Sequence, residues 1–68
     1  MKLSARNILD GTVTEIVKGA VTSHVRIDIG STTITASITN YAVAELGLTV
    51  GSKASAVIKA SDVMVGVK

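Results

Sequence analysis

Hydrophobic and polar positions alternate along most of this chain, and the alternation is cleanest over residues 21–29. There Val21, Val25, Ile27 and Ile29 interleave with Thr22, His24, Arg26 and Asp28, the period-two pattern of a strand with one buried and one polar face. The run before it, 9–17, sets Leu9, Gly11, Val13, Glu15 and Val17 against Asp10, Thr12, Thr14 and Ile16. Its alternation is imperfect, because Glu15 and Ile16 exchange the expected polarity, but its Thr and Val content predicts a strand. Lys18-Gly19 marks the turn between the two. Gly30-Ser31 closes a hairpin onto a third strand, where Ile34, Ala36 and Ile38 alternate with Thr33, Thr35 and Ser37.

Thr39-Asn40 breaks the pattern and predicts a helix start, since either side chain can cap exposed backbone N–H groups. A short helix over 41–46 follows, ended by Gly47, the residue suited to a left-handed position after a helix. Val43 and Leu46 are three apart and are expected to face the sheet, with Leu48 packing beyond the helix end. After Val50-Gly51-Ser52 the pattern predicts a fourth strand over 53–59 and a last one over 63–67. No linker, low-complexity segment or internal repeat interrupts the sequence, and the whole of 1–68 reads as one domain. Three strands, a helix and two strands is the element order of an OB-fold, an all-β, five-stranded Greek-key barrel with its helix between strands three and four. An open five-stranded sheet carrying the helix on one face fits the periodicity equally well.

Composition adds a constraint on stability. A chain of 68 residues buries only roughly 60% of its unfolded surface. It has no cysteine, so no disulfide or thiolate metal site supports it, and no Trp or Phe to fill a core. Yet 47% of its residues are hydrophobic, more than so small an interior needs. Aliphatic surface left over is most readily buried against further copies of the chain, so an obligate homo-oligomer is expected. The lack of cysteine fits a cytoplasmic location. No secretory signal is legible, since Lys2-Leu3 leads straight into polar residues, and no run approaches the ~20 apolar residues of a membrane helix. The net charge of +2 is scattered, and with Tyr41 as the only aromatic residue there is no platform for stacking bases, so nucleic acid is not an expected partner.

Catalysis and cation binding find little support. The single histidine, His24, lies on the polar face of its strand with no Ser or Cys nucleophile beside it. The carboxylates Asp10, Glu15, Asp28, Glu45 and Asp62 are dispersed, with no pairing suited to acid–base work and no cluster suited to a cation. The chain is therefore expected not to be an enzyme and to hold no metal cation. The six glycines are spread singly, which excludes a phosphate-binding glycine loop.

Two polar clusters remain, Ser4-Ala5-Arg6-Asn7 at one end of the sequence and Lys59-Ala60-Ser61-Asp62 near the other. Both crowd hydrogen-bond donors at strand boundaries, where together they would suit an anion. Separately they would serve as ordinary turns with solvated charges. With Gly11, Ile38-Thr39, Glu45-Leu46-Gly47-Leu48, Gly51 and Ile58 through Val65, these clusters closely resemble the molbindins, the small molybdate-binding Mop proteins whose unit also occurs as TOBE domains of molybdate transporters and regulators. The resemblance covers about 2–65, and the combination of opening Ser-Ala-Arg-Asn with closing Lys-Ala-Ser-Asp-Val is its most specific part.

The resemblance implies the barrel rather than the open sheet, and a cytoplasmic protein that stores or buffers molybdate or tungstate without an organic cofactor. It implies barrels paired into dimers and assembled further to a hexamer. It also implies tetrahedral-oxyanion sites at subunit interfaces, with Ser4, Arg6, Lys59, Ala60 and Ser61 in the ligand shell and Thr39 completing it. Such a dianion exchanges its hydration shell for N–H groups, hydroxyls and one or two cations. Ala60 would act through its backbone N–H, and Arg6 through its backbone or its guanidinium. A second oxyanion site is implied where several copies of the first turn converge, at Lys18, Gly19 and Ala20 with Thr22; the plain alternative is a hairpin turn. The rival functions are an OB-like oligomerisation module without ligand and a nucleic-acid-binding barrel.

Overall fold

The computed structural model describes residues 2–68. Strand β1 spans Asn7–Lys18, β2 Thr22–Asp28 and β3 Thr33–Thr39; helix α1 spans Asn40–Leu46, β4 spans Lys53–Ile58, and a single 3-10 turn spans Ala60–Asp62. The strands form one antiparallel sheet in the order β3-β2-β1-β4. β1 is its spine and divides its partners. Asn7 to Thr12 pair with β4, from Asn7↔Ile58 to Thr12↔Lys53. Thr12 to Lys18 pair with β2, from Thr12↔Asp28 to Lys18↔Ser23.

The handover at Thr12 is where the sheet bends, and two local features permit it. Gly11 passes so close to the end of β2 that a Cβ there would lie 2.3 Å from the Asp28 carbonyl oxygen, so any side chain would force the strands apart. Just beyond, the register skips from Val13↔Ile27 to Glu15↔Arg26. This bulge leaves Thr14 unpaired and turns Val13 and Ile16 to the same side. It accounts for the exchanged polarity of Glu15 and Ile16, and Glu15 lies outside beside Arg26, Oε1 to Nε 3.1 Å. The loop before β4 fastens onto the bulge: Val13 N–H donates to Ser52 O at 2.9 Å and Gly51 N–H to Val13 O at 2.8 Å.

Val13, Val25, Ile27 and Ala56 form the buried core, with Leu9, Ile16, Ile29, Ile34, Ile38, Val43, Leu48 and Ala54 packed around it. Helix α1 is capped by Thr39, whose Oγ1 accepts from Ala42 N–H at 3.0 Å. It ends at Gly47 in the left-handed conformation, φ 65°. Gly47 N–H bonds Ala44 O and Leu48 N–H bonds Val43 O, both at 3.1 Å, the reversal that folds the residue after the glycine back onto the helix. Leu48 thus joins Val43 at the core. Leu46, expected to face the sheet, is instead 68% exposed.

The fifth strand expected over 63–67 does not form within the chain, so the sheet is a curled, open half-barrel of four strands and not a closed five-stranded one. The cause lies in the preceding turn. Asp62 N–H bonds Lys59 O at 2.9 Å and Val63 N–H bonds Ala60 O at 3.2 Å, a right-handed helical turn. Tight hairpins need positive φ to match strand twist, and no residue of 59–62 has it. The tail leaves β4 unpaired, with Met64, Val65 and Val67 more than nine-tenths exposed. Among the described residues no helix is long and apolar enough to cross a membrane.

Candidate functional site

The β1–β4 pairing decides where the two polar clusters go. Its last pair is Asn7↔Ile58, reinforced by Asn7 Nδ2 donating to Ile58 O at 3.2 Å. The ladder ends there: Arg6 and Lys59 are the next residues outward on the two strands, Ser4 lies in a bend and Ser61 in the 3-10 turn. Clusters more than fifty residues apart in sequence therefore leave the same end of one strand pair. Ser4, Arg6, Lys59, Ala60 and Ser61 are all exposed there. A helical turn leaves its first N–H groups without internal partners, and those of Ala60 and Ser61 have none among the described residues. Two free N–H groups, two hydroxyls and two cations share this foot. Donors of these kinds suit an anion.

Thr39 is elsewhere. It is the last residue of β3, opposite Thr22, at the far end of the sheet. The 12 residues of β1 run between the foot and that end. One chain therefore carries five of the six expected ligand-shell residues at one end of the β1–β4 pair and the sixth, Thr39, at the other end of the sheet.

What surrounds Thr39 is the other candidate set. Lys18 pairs with Ser23 at the top of the β1–β2 hairpin. Gly19 N–H donates to Thr22 O at 2.8 Å to close the turn, and Lys18, Gly19, Ala20 and Thr22 are all exposed. Two residues that hydrophobic patterning passed over organise this end. Ser23 is buried, 1% exposed, at an inward position in phase with Val25 and Ile27, and its hydroxyl donates to Asn40 Oδ1. Asn40 Nδ2 donates to Gly19 O at 2.9 Å. A serine in the apolar phase of an otherwise clean strand was the signal available in the sequence, since a buried hydroxyl requires a partner. His24 is exposed on β2, opposite Val17, and no group of three or more His, Cys, Asp or Glu able to hold a metal ion occurs among the described residues.

Comparison with known proteins bears on what these ends are for. The family profile of the TOBE domain matches residues 3–65. The chain belongs to the TOBE family, among the molbindins. A probable molybdenum-pterin-binding protein of Haemophilus influenzae is 51% identical over 69 residues, covering 100% of both chains. The molybdate-binding protein of Sporomusa ovata is 45% identical and superposes with a TM-score of 0.91, over 96% of this chain and 97% of that one. The cytoplasmic molybdate-binding protein ModG, solved with molybdate bound, is 55% identical with a TM-score of 0.96; this chain covers 49% of its length. The half-barrel and its helix are therefore the molbindin backbone.

This molbindin leaves its concave face open. Between the outer strands β3 and β4 runs a groove of about 610 Å3, lined by Val25, Ile27, Ile34, Ile38, Leu48, Ala56 and Ile58 among others. Val17, Val21, Leu46, Val50 and Val57 add exposed aliphatic surface.

Proposed function

We propose that the chain is a homo-oligomeric, non-enzymatic binding protein that takes up molybdate, or tungstate of nearly equal size and charge, and stores or buffers it in the cytoplasm. The observation that supports this is the β1–β4 pairing, which ends at Asn7↔Ile58 and so starts the Ser4–Arg6 segment and the Lys59–Ser61 turn, with its unpartnered N–H groups, from the same end of the sheet. The relatives' binding of molybdate supports the choice of anion. In this reading Ser4, Arg6, Lys59, Ala60 and Ser61 of one copy form most of the shell, and Thr39 enters from a neighbour, because its own copy holds it at the opposite end. Lys18, Gly19, Ala20 and Thr22 form a second site where several turns converge.

Assembly follows from what one chain leaves uncovered. The open groove, the free edges of β3 and β4 and the apolar tail are complementary features. Residues 63–67 become the fifth strand by pairing with a second copy, and dimers built in this way assemble to a hexamer. The test is titration calorimetry of the purified oligomer with molybdate, tungstate, sulfate and phosphate, alongside sedimentation. Molybdate and tungstate should bind alike and more tightly than sulfate, whose smaller size leaves longer hydrogen bonds in a cage sized for molybdate. An intact oligomer that releases no heat with either large anion would identify an oligomerisation module instead.

A further inference from the structure

Asn40 is half-buried at the start of α1, and every polar group it carries toward the β1–β2 turn is engaged. Its Nδ2 donates to Gly19 O at 2.9 Å, its Oδ1 accepts from Ser23, and its backbone N–H donates to Val21 O at 2.8 Å. The orientation of the carboxamide is forced. A backbone carbonyl only accepts, so the amide nitrogen must face Gly19 and the amide oxygen is left for the hydroxyl. Because Ser23 is buried, its hydroxyl has no water to turn to instead. One side chain therefore locks the turn to the helix and to the core strand at once.

The lock determines which peptide groups the turn shows outward. A trans peptide unit is planar, with its C=O and the following N–H pointing in opposite directions. Drawing the Gly19 carbonyl toward Asn40 turns the Ala20 N–H away from it, and that N–H has no partner among the described residues. Released from Asn40, the same peptide unit is free to turn its oxygen outward, where it would repel an anion. We propose that Asn40 is a positioning residue for oxyanion binding at the β1–β2 turn, holding the Gly19 carbonyl inward so that the Ala20 N–H, beside Lys18, meets the anion. The proposal rests on the assignment of this turn as the second oxyanion site.

The variants separate positioning from stability. Ser23→Ala removes the buried hydroxyl but leaves the amide-to-Gly19 bond. Asn40→Ala removes that bond. The double variant Ser23→Ala/Asn40→Ala removes it with no buried hydroxyl left unpaired, a pairing of changes that is far less disruptive than either orphaned group. Nitrogen-15-labelled full chain is titrated with molybdate, following the Ala20 amide and, at the other end of the sheet, the Ser61 amide, with sedimentation confirming assembly. In the wild type both amides shift. Ser23→Ala should keep the Ala20 response. Asn40→Ala and the double variant should weaken binding at the turn about tenfold, leaving Ser61 responding at concentrations that no longer move Ala20. An unchanged Ala20 response in the double variant, or an equal loss in Ser23→Ala, would overturn the role of Asn40 alone. A wild-type Ala20 amide that ignores molybdate while Ser61 responds would remove the turn site, and the proposal with it.

Discussion

The two ends of the sheet carry similar inventories of donors and hold them in opposite ways. At the β1–β2 turn, Thr39, Asn40 and Ser23 are bonded to neighbours, and the turn is tied to a helix and a core strand. At the foot, Ser4, Arg6, Lys59 and Ser61 are exposed, and none of their side chains makes a hydrogen bond or ion pair among the described residues. Only the end of the β1–β4 pairing relates the two segments. Donors tied into the fold are pre-organised, so disturbing them alters stability as well as binding. Donors left free are ordered by what they bind, so their loss should appear in affinity alone.

The largest effect should come from Gly11, the point where the halves of the sheet meet. Gly11→Ala places a Cβ against the Asp28 carbonyl, and a clash with backbone cannot be relieved by a rotamer change. A loss of about 3 kcal/mol or more is expected, read as a lowered denaturation midpoint, with both ends failing to bind. Next comes Lys59→Ala at the foot. Removing a charge-assisted bond should weaken molybdate binding by roughly 1.5–3 kcal/mol, or about tenfold to over a hundredfold, with the unfolding midpoint unchanged. Wild-type affinity in an intact oligomer would take Lys59 out of the site.

Thr39→Ala sharpens the contrast from the other end. It removes a helix cap worth about 1 kcal/mol and the hydroxyl proposed for the shell, so stability and affinity should fall in the same variant, whereas Thr39→Ser should keep both. The smallest single effect belongs to Ser4→Ala, on the order of 1 kcal/mol in affinity. Its value lies in combination with Lys59→Ala: groups touching one anion should give losses that depart from their sum. Strict additivity in calorimetry would separate the two ends of the chain into different functions.

Much of this arrangement was legible in the sequence. Val25 and Ile27 announced the core strand, Thr39 and Gly47 bracketed the helix, and the irregular Glu15-Ile16 phase was the trace of a bulge. The misses have local physical causes. Val63, Val65 and Val67 alternate as a strand would, but alternation says nothing about which chain supplies the partner, and the helical turn at Ala60–Asp62 denies them their own. Leu46 and Leu48 compete for one place against the sheet, and the left-handed Gly47 awards it to Leu48. The separation of Thr39 from Lys59 depends on β1 changing partners at Thr12, which no residue pattern encodes. Ser23 stood out in the apolar phase of its strand and Asn40 beside the helix start, but the bond between them joins residues 17 apart in sequence, which periodicity does not read.

The four side chains at the centre of this fold have a consequence for how the protein responds to dilution. An interior of Val13, Val25, Ile27 and Ala56 is small against the conformational entropy of ordering the whole chain. On the proposed assembly, folding and association form a single equilibrium, in which the unfolded species is monomeric and the folded one is not. The melting temperature should accordingly rise with protein concentration and rise again with a bound oxyanion. Calorimetric scans over a hundredfold concentration range would read this directly, and a midpoint that stays fixed would mean that one copy folds by itself.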